Sequence, residues 1–405
     1  MKILKKTRSV CSECFLEIPA TVFEKDRRVY MKKTCPEHGT SETLIEKDAW
    51  IYEKILGNLN NNRSSESLTI TLTHDCNNSC SFCYLPERKT NEKTIDEIKK
   101  EISGFSGKLI RLSGGEPTLR NDLHEIIRFA SHVGKETCLL TNGIILSNPE
   151  YVNELENAGL DFVHLSLNSL NRTMLRRIES DILELKKKAI SNLEKTKIKI
   201  LISFMIIRGE NDSEIGDMIK YCLKDPFIKY LRIRSGVGIG RHGKEMRFFL
   251  SEILNIVSRF LGVDKKQLLL EQEVKTILER PLGNKISNLL PCSFDVSVYR
   301  KNNKPIIWSD GLNYIKFHKS RFKTLLVLCN ILKKRKLMAI DVIAKKTFRK
   351  PNMNKLNINL RSWPDKHTLD LDIIDKYCPT KQSTKNSQTL PFCYSLIMNE
   401  RDNNI

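Results

Sequence analysis

The cysteines constrain this chain more than any other residue type. Twelve occur, at positions 11, 14, 35, 76, 80, 83, 138, 222, 292, 329, 378 and 393, and the first six fall in two tight groups. The opening MKILKKTRSVCSEC lacks the apolar stretch of a signal peptide, so the expected location is the cytoplasm. Thiols stay reduced there, and clustered cysteines then point to metal rather than to disulfides. No apolar run approaches the roughly 18 residues of a membrane-spanning helix. The longest, around Ile198–Ile207, carries Lys199 and Ser203. A length of 405 residues suggests two or three domains, and 40% hydrophobic against 29% charged residues excludes wholesale disorder.

Residues 1–56 read as a small metal-held module. Cys11-x2-Cys14 is followed by Cys35-x2-His38 within TCPEHG. Two hairpin knuckles of this form present four ligands tetrahedrally, and so small a unit needs the metal to hold it. The intervening ATVFEKDRRVYMKK reads as two strands around a charged turn. CPEHG also looks like a rubredoxin knuckle with His in place of the second Cys. Three thiolates and an imidazole favour zinc, with mononuclear iron as the alternative.

The Asn/Ser-rich stretch 57–67 reads as a linker. From residue 68 to about 241, strand signals (68–73, 108–113, 136–141, 161–167, 197–206, 229–235) alternate with amphipathic helical stretches near 94–103, 121–133, 149–158, 183–195 and 212–223. Six βα units in series imply an α/β fold, a parallel sheet closing into a partial (β/α)6 barrel with its chemistry at the C-terminal strand ends. The core is expected over 68–245, with a cysteine-containing C-terminal extension over 246–405.

The first of these strands runs into THDCNNSCSFCYLP, where Cys76-x3-Cys80-x2-Cys83 supplies three thiolates. Three ligands can hold three irons of a [4Fe–4S] cube and leave the fourth iron open to a substrate. CxxxCxxC with aromatic Phe82 before the last Cys, on the loop after the first strand of a βα series, resembles the radical S-adenosylmethionine (SAM) superfamily over residues 68–241. The resemblance implies that SGGEP, with Gly114, Gly115, Glu116 and Pro117, holds the SAM amino group after the second strand. Asn142 in LLTNG would meet the ribose. Ser166 and Asn168 in HLSLN would meet the ribose or carboxylate, although Asp is commoner than Asn at the last position. RSGVGIGR (234–241) would pack on adenine. Each piece alone could be a turn or a half-buried strand; their order after successive strands carries the argument.

The resemblance implies reductive cleavage of SAM to a 5′-deoxyadenosyl radical, which abstracts hydrogen from an unactivated carbon, and an electron donor of flavodoxin or ferredoxin type. The N-terminal knuckle together with PFCYS at 391–395 is similar to the tetraether lipid synthase and methanopterin methylase group. That group forms C–C bonds or attaches methyl groups, on a small-molecule or lipid substrate. It often carries an auxiliary iron–sulfur cluster, for which Cys292, Cys378 and Cys393 are the candidate ligands. Cys138, Cys222 and Cys329 read as buried small hydrophobes.

The formal charge is +20, and between Ile315 and Pro351 twelve Lys/Arg face one acid. Their helical spacing among Leu, Ile and Val suits an anionic membrane surface, which would place the protein at the membrane periphery. It also suits a packed helix with a solvated basic face, a phosphate-bearing substrate, or RNA. The charge makes an RNA-modifying radical SAM enzyme one rival reading, with steeply salt-dependent RNA binding as its mark. The C-terminal cysteines make a peptide-maturing one another, although the N-terminal knuckle is not the usual peptide-recognition domain. A non-catalytic iron–sulfur and zinc protein is the third, and the ordered set of SAM-contact motifs argues against it.

Overall fold

The structure is a computed structural model and describes residues 1–59, 67–85, 92–236, 247–269, 271–272, 290–301, 304–307, 355–384 and 389–403. Most of the expected linker, the tail of RSGVGIGR, Cys329 and the basic stretch 315–351 lie outside the described residues.

Four strands, β1 (Lys2–Val10), β2 (Glu17–Lys25), β3 (Arg28–Cys35) and β4 (Gly39–Glu46), form an antiparallel sheet in sequence order. Asp26 and Arg27 both take positive φ at the β2–β3 turn, the conformation a tight two-residue hairpin requires. Ala20, Val22, Val29 and Met31 pack on Ala49 and Tyr52 of helix α1 (Ala49–Gly57). The outer strands β1 and β4 went unread in the sequence, because their polar, charged residues alternate only weakly with apolar ones.

Six parallel strands follow: β5 (Ser67–Thr73), β6 (Leu109–Gly114), β7 (Glu136–Thr141), β8 (Phe162–Ser166), β9 (Lys199–Ile206) and β10 (Ile228–Ser235). They are neighbours in sequence order, as expected of a (β/α) series. The connecting helices are α2 (Ile95–Gly104), α3 (Leu123–His132), α4 (Pro149–Asn157), α5 (Arg172–Ile178), α6 (Leu183–Leu193) and α7 (Ile215–Lys224). Two helices, not one, join β8 to β9; α5 begins where the Asn171 side chain accepts from the Met174 N–H.

Alternation along these strands sorts two faces. Leu68, Ile70, Ile110, Leu139, Val163, Ile202, Phe204 and Ile233 belong to one continuous core. The opposite face carries Arg111, Ser113, His164, Ser166, Ser203, Arg232 and Arg234 instead of the branched apolar layers that fill a closed barrel. A polar inner face keeps the barrel hollow.

After α8 (Leu250–Leu261), the C-terminal stretch adds strands to both edges. β11 (Ser293–Lys301), β12 (Lys304–Ile306) and β13 (Lys355–Arg361) extend the sheet beyond β10. Helix α9 (Leu371–Tyr377) leads to β14 (Thr380–Ser383), which pairs with β5, then to β15 (Thr389–Pro391) and helix α10 (Phe392–Asn403). Among the described residues the sheet reads β12-β11-β13-β10-β9-β8-β7-β6-β5-β14-β15. A second core joins the ends of the chain: Val10 and Phe15 pack with Trp363, Leu371, Leu396 and Ile397. No helix among the described residues is long and apolar enough to cross a membrane.

Candidate metal centres and active-site cavity

The β1–β2 turn carries Cys11 and Cys14, and the β3–β4 turn carries Cys35 and His38; their ligand atoms all lie within 4.8 Å of one another. Cys14 Sγ is 3.7 Å from Cys35 Sγ, and His38 Nδ1 is 3.6 Å from Cys35 Sγ and 3.8 Å from Cys11 Sγ. A tetrahedral zinc with Zn–S of about 2.3 Å and Zn–N of about 2.0–2.1 Å sets such edges near 3.6–3.8 Å. The donor set therefore fits one tetrahedral ion. A backbone N–H from Glu13 reaches Cys11 Sγ at 3.5 Å, the type of outer contact that steadies a thiolate.

Cys76, Cys80 and Cys83 lie on the loop after β5 and do not converge at single-ion distance, since among the described residues only the N-terminal set does. This spacing suits a cube, in which each thiolate binds a different iron. Burial pushes the Cys76 and Cys80 thiols above their usual range. Ionising them needs a cation in place, as coordination to iron supplies.

The loop is pinned from below. Asn78 Nδ2 donates to Cys80 Sγ at 3.4 Å and to Glu179 at 3.1 Å, and Glu179 pairs with Lys186 at 3.0 Å with neither side chain exposed. Ser81 donates through its N–H and its hydroxyl to the carbonyl of Ile178. Phe82 packs against Ile178, Met205 and Ile207.

The glycine pair of SGGEP follows from a close crossing. A β-carbon on Gly114 would lie 2.3 Å from the Thr73 carbonyl oxygen, and one on Gly115 would lie 2.2 Å from that of Asp75. The Gly115 N–H donates to Thr73 O at 2.8 Å and the Glu116 N–H to Asp75 O at 2.7 Å, so this turn clamps the root of the cysteine loop.

A cavity of about 130 Å³ opens against the three cysteines, with Gly114, Gly115, Asn142, Ser166 and Phe82 on its wall. That is roughly ten times what one ordered water needs. Asn142 donates to Asn77 Oδ1 at 2.8 Å and approaches Cys76 Sγ at 3.9 Å.

The structure places three of the expected SAM contacts behind the cavity and not on its wall. Glu116 is fully buried and accepts from the hydroxyls of Thr118 and Thr141 and from the Asn142 N–H, each at 2.7 Å. It ties the end of β6 to the end of β7 and does not line the cavity. Pro117 opens a short 3-10 turn behind it. Asn168 is equally buried: its amide donates to Ser166 Oγ at 2.9 Å and to Glu179, and its oxygen accepts from the Met205 N–H at 2.7 Å. These side chains shape the site from behind.

Sequence reasoning missed His164, Arg232 and Arg234, which also line the cavity. The available signal was the Arg-Ile-Arg alternation on the sixth strand, which puts both guanidiniums on the inner face.

Cys292 precedes β11, Cys378 follows α9 and Cys393 opens α10. Each of Cys292 and Cys393 lies within electrostatic reach of the other and of Cys378, and Arg361 faces all three. Burial pushes the Cys292 thiol up to about 11 and that of Cys393 well above the usual range. Cys138 and Cys222 are both buried; Cys222 belongs to the apolar core, as a small hydrophobe does, whereas Cys138 stands in register with Arg111.

Residues 70–222 match the Radical SAM superfamily, and residues 3–47 match the HMPTM N-terminal zinc ribbon domain. A 7,8-dihydro-6-hydroxymethylpterin dimethyltransferase of Methanocaldococcus jannaschii is 31% identical over 55% of this chain and 51% of its own length. A probable GTP 3′,8-cyclase of Methanothermobacter marburgensis is 30% identical over 56% of this chain and 79% of its own. The chain spans about half the length of the first curated relatives it matches. The structure of Streptococcus suis SuiB bound to S-adenosylmethionine aligns with a TM-score of 0.44 at 17% identity, over 53% of this chain and 52% of that one. The matched core and the cyclase relative together show that the chain belongs to the radical SAM superfamily, enzymes that work with a [4Fe–4S] cluster, SAM and a reductant.

Proposed function

We propose that this chain attaches a carbon unit, by methyl transfer or C–C bond formation, to an unactivated carbon of a small molecule. The observation that carries the reading is a four-ligand N-terminal site of the HMPTM ribbon type joined, in one chain, to a three-cysteine loop over a cavity. The named pterin dimethyltransferase supports a heterocyclic substrate. A reduced cluster held by these three cysteines would supply the electron for SAM cleavage and so the means of removing a substrate hydrogen.

The chain's own residues do the positioning. Cys76, Cys80 and Cys83 hold the cluster, and the backbone of Gly114 and Gly115 borders SAM. Asn142 and Ser166 offer hydrogen bonds from the cavity wall, and Phe82 keeps water from the iron site. Glu116 and Asn168 hold those groups in register. The zinc-type site fixes the sheet that packs on the C-terminal segment through Val10 and Phe15. Cys292, Cys378 and Cys393 are proposed ligands of an auxiliary iron–sulfur cluster, supported by their gathering around Arg361 from three separate segments. A flavodoxin- or ferredoxin-type donor and cytoplasmic location belong to the same proposal.

The test is anaerobic. Reconstituted protein with dithionite, 7,8-dihydro-6-hydroxymethylpterin and SAM labelled at its methyl group should yield 5′-deoxyadenosine and a labelled pterin by mass spectrometry. A product without label would favour C–C bond formation within the substrate, as the cyclase-named relatives suggest. Absence of 5′-deoxyadenosine under all substrate conditions would sink the reading.

A further inference from the structure

The inner face of the sheet concentrates positive charge, and among the described residues none of these cations is salt-bridged. Arg232 and Arg234 line the cavity from β10. Their strand neighbours in register are Ser203 and Met205 on β9 and Asn359 and Arg361 on β13, none of them acidic. The Nε of each guanidinium is buried without a hydrogen-bond partner. Arg234 lies 5.2 Å over the Trp363 ring and feels the thiols of Cys80 and Cys83; Arg232 has only the Tyr230 ring and hydroxyl in its favour.

Two further arginines add to the field. Arg111 donates to Ser67 Oγ at 3.3 Å and Arg361 to Asn359 Oδ1 at 3.0 Å, both neutral acceptors. Among the described residues none of the four arginines forms an ion pair. Asp295, beside Asn359 on β11, already accepts from that amide at 2.7 Å. His164, also on the cavity wall, has both ring nitrogens buried and unpartnered. Burial first, and then the surrounding Arg232, Arg111, Arg234 and Arg361, hold it neutral. Burial, with Arg361 and Arg111 nearby, draws Arg232 down to about 10, so it still carries its charge at neutral pH.

An uncompensated guanidinium in such a place is destabilising and persists only where something repays it. SAM does not: its one carboxylate is outweighed by an ammonium and a sulfonium, so it enters as a net cation. A cluster on Cys76, Cys80 and Cys83 would offset Arg234, and Cys292, Cys378 and Cys393 would offset Arg361 once ionised on an auxiliary cluster. Arg232, backed by Arg111, is left for the second ligand.

We propose that the substrate carries a phosphate or diphosphate group, held in this cavity by Arg232 with Arg234 beside it. A phosphate brings the near-double charge and the several acceptor oxygens that paired guanidiniums match bidentately. This deepens the reading of the site given above and rests on it for the position of SAM. His164 then stands as a neutral hydrogen-bonding partner on the same wall.

Inorganic pyrophosphate is the probe, titrated calorimetrically into reconstituted holoenzyme with and without saturating SAM. The expected result is binding that SAM does not weaken, an affinity loss of about tenfold or more in Arg232→Gln, and substantial recovery in Arg232→Lys. No binding to the wild type, or wild-type affinity in Arg232→Gln, overturns the proposal. A tenfold loss on adding SAM also overturns it, by assigning the arginines to the SAM carboxylate. If Arg232→Gln does not fold, the SAM competition and the lysine variant still decide. Pyrophosphate binding that depends on Arg232 in a protein that never yields 5′-deoxyadenosine would remove the radical reading and leave the phosphate site standing.

Discussion

Cys11, Cys14, Cys35 and His38 converge within 4.8 Å of one another from two hairpin turns, whereas Cys76, Cys80 and Cys83 stand apart on one loop over an open cavity. Both regions gather thiols, and their supports differ. The N-terminal ligands sit at the ends of short strands whose apolar core is small, so the metal holds the sheet together. The loop cysteines rest on a large α/β core, pinned by Asn78, Glu179 and Ser81, and that core has an apolar interior of its own. A closed tetrahedron stabilises a fold; a three-ligand loop leaves coordination free for chemistry.

Four predictions test that contrast. The largest effect belongs to the loop: Cys76→Ala, Cys80→Ala or Cys83→Ala should abolish 5′-deoxyadenosine formation while leaving the thermal unfolding of the core unchanged. A variant that still cleaves SAM would break the assignment. Next, Cys35→Ser or His38→Ala should release one metal per chain and expose β1–β4 to hydrogen exchange, with the β5–β10 amides still protected. Unchanged metal content would end the structural-metal reading.

Lys186→Met should cost about 3–5 kcal/mol in urea unfolding, because it leaves Glu179 charged, buried and unpaired beneath the cysteine loop. A loss under about 1 kcal/mol would show that water reaches the pair. The smallest effect, about 2–3 kcal/mol, is expected for Gly115→Ala, whose methyl would meet the Asp75 carbonyl. Its iron loading after reconstitution should fall too; normal loading would mean that the loop root shifts without disturbing the thiols.

The six core strands were legible because one face of each must meet helices, and alternation records that requirement directly. Both knuckles were legible because ligand spacing across a hairpin turn is local. The edge strands were not: β14 pairs with β5 about three hundred residues earlier, and nothing in TKQS names that partner. Glu116 and Asn168 were read as ligand contacts because the motif marks that the residues matter, not which way their side chains turn. Both turn inward and bind backbone and side chains of neighbouring strands.

The sequence by itself determined the α/β series, the two groups of metal ligands and the superfamily, since each rests on short-range spacing or periodicity. Only the tertiary structure decided which polar residues share the barrel interior. Arg232 and Arg234 line the cavity, and Arg111 and Arg361, from two other strands 250 residues apart, add their charge at His164 on its wall. Charge in a sequence is a sum, whereas the need for a counter-ion depends on distance and on the water left between the groups.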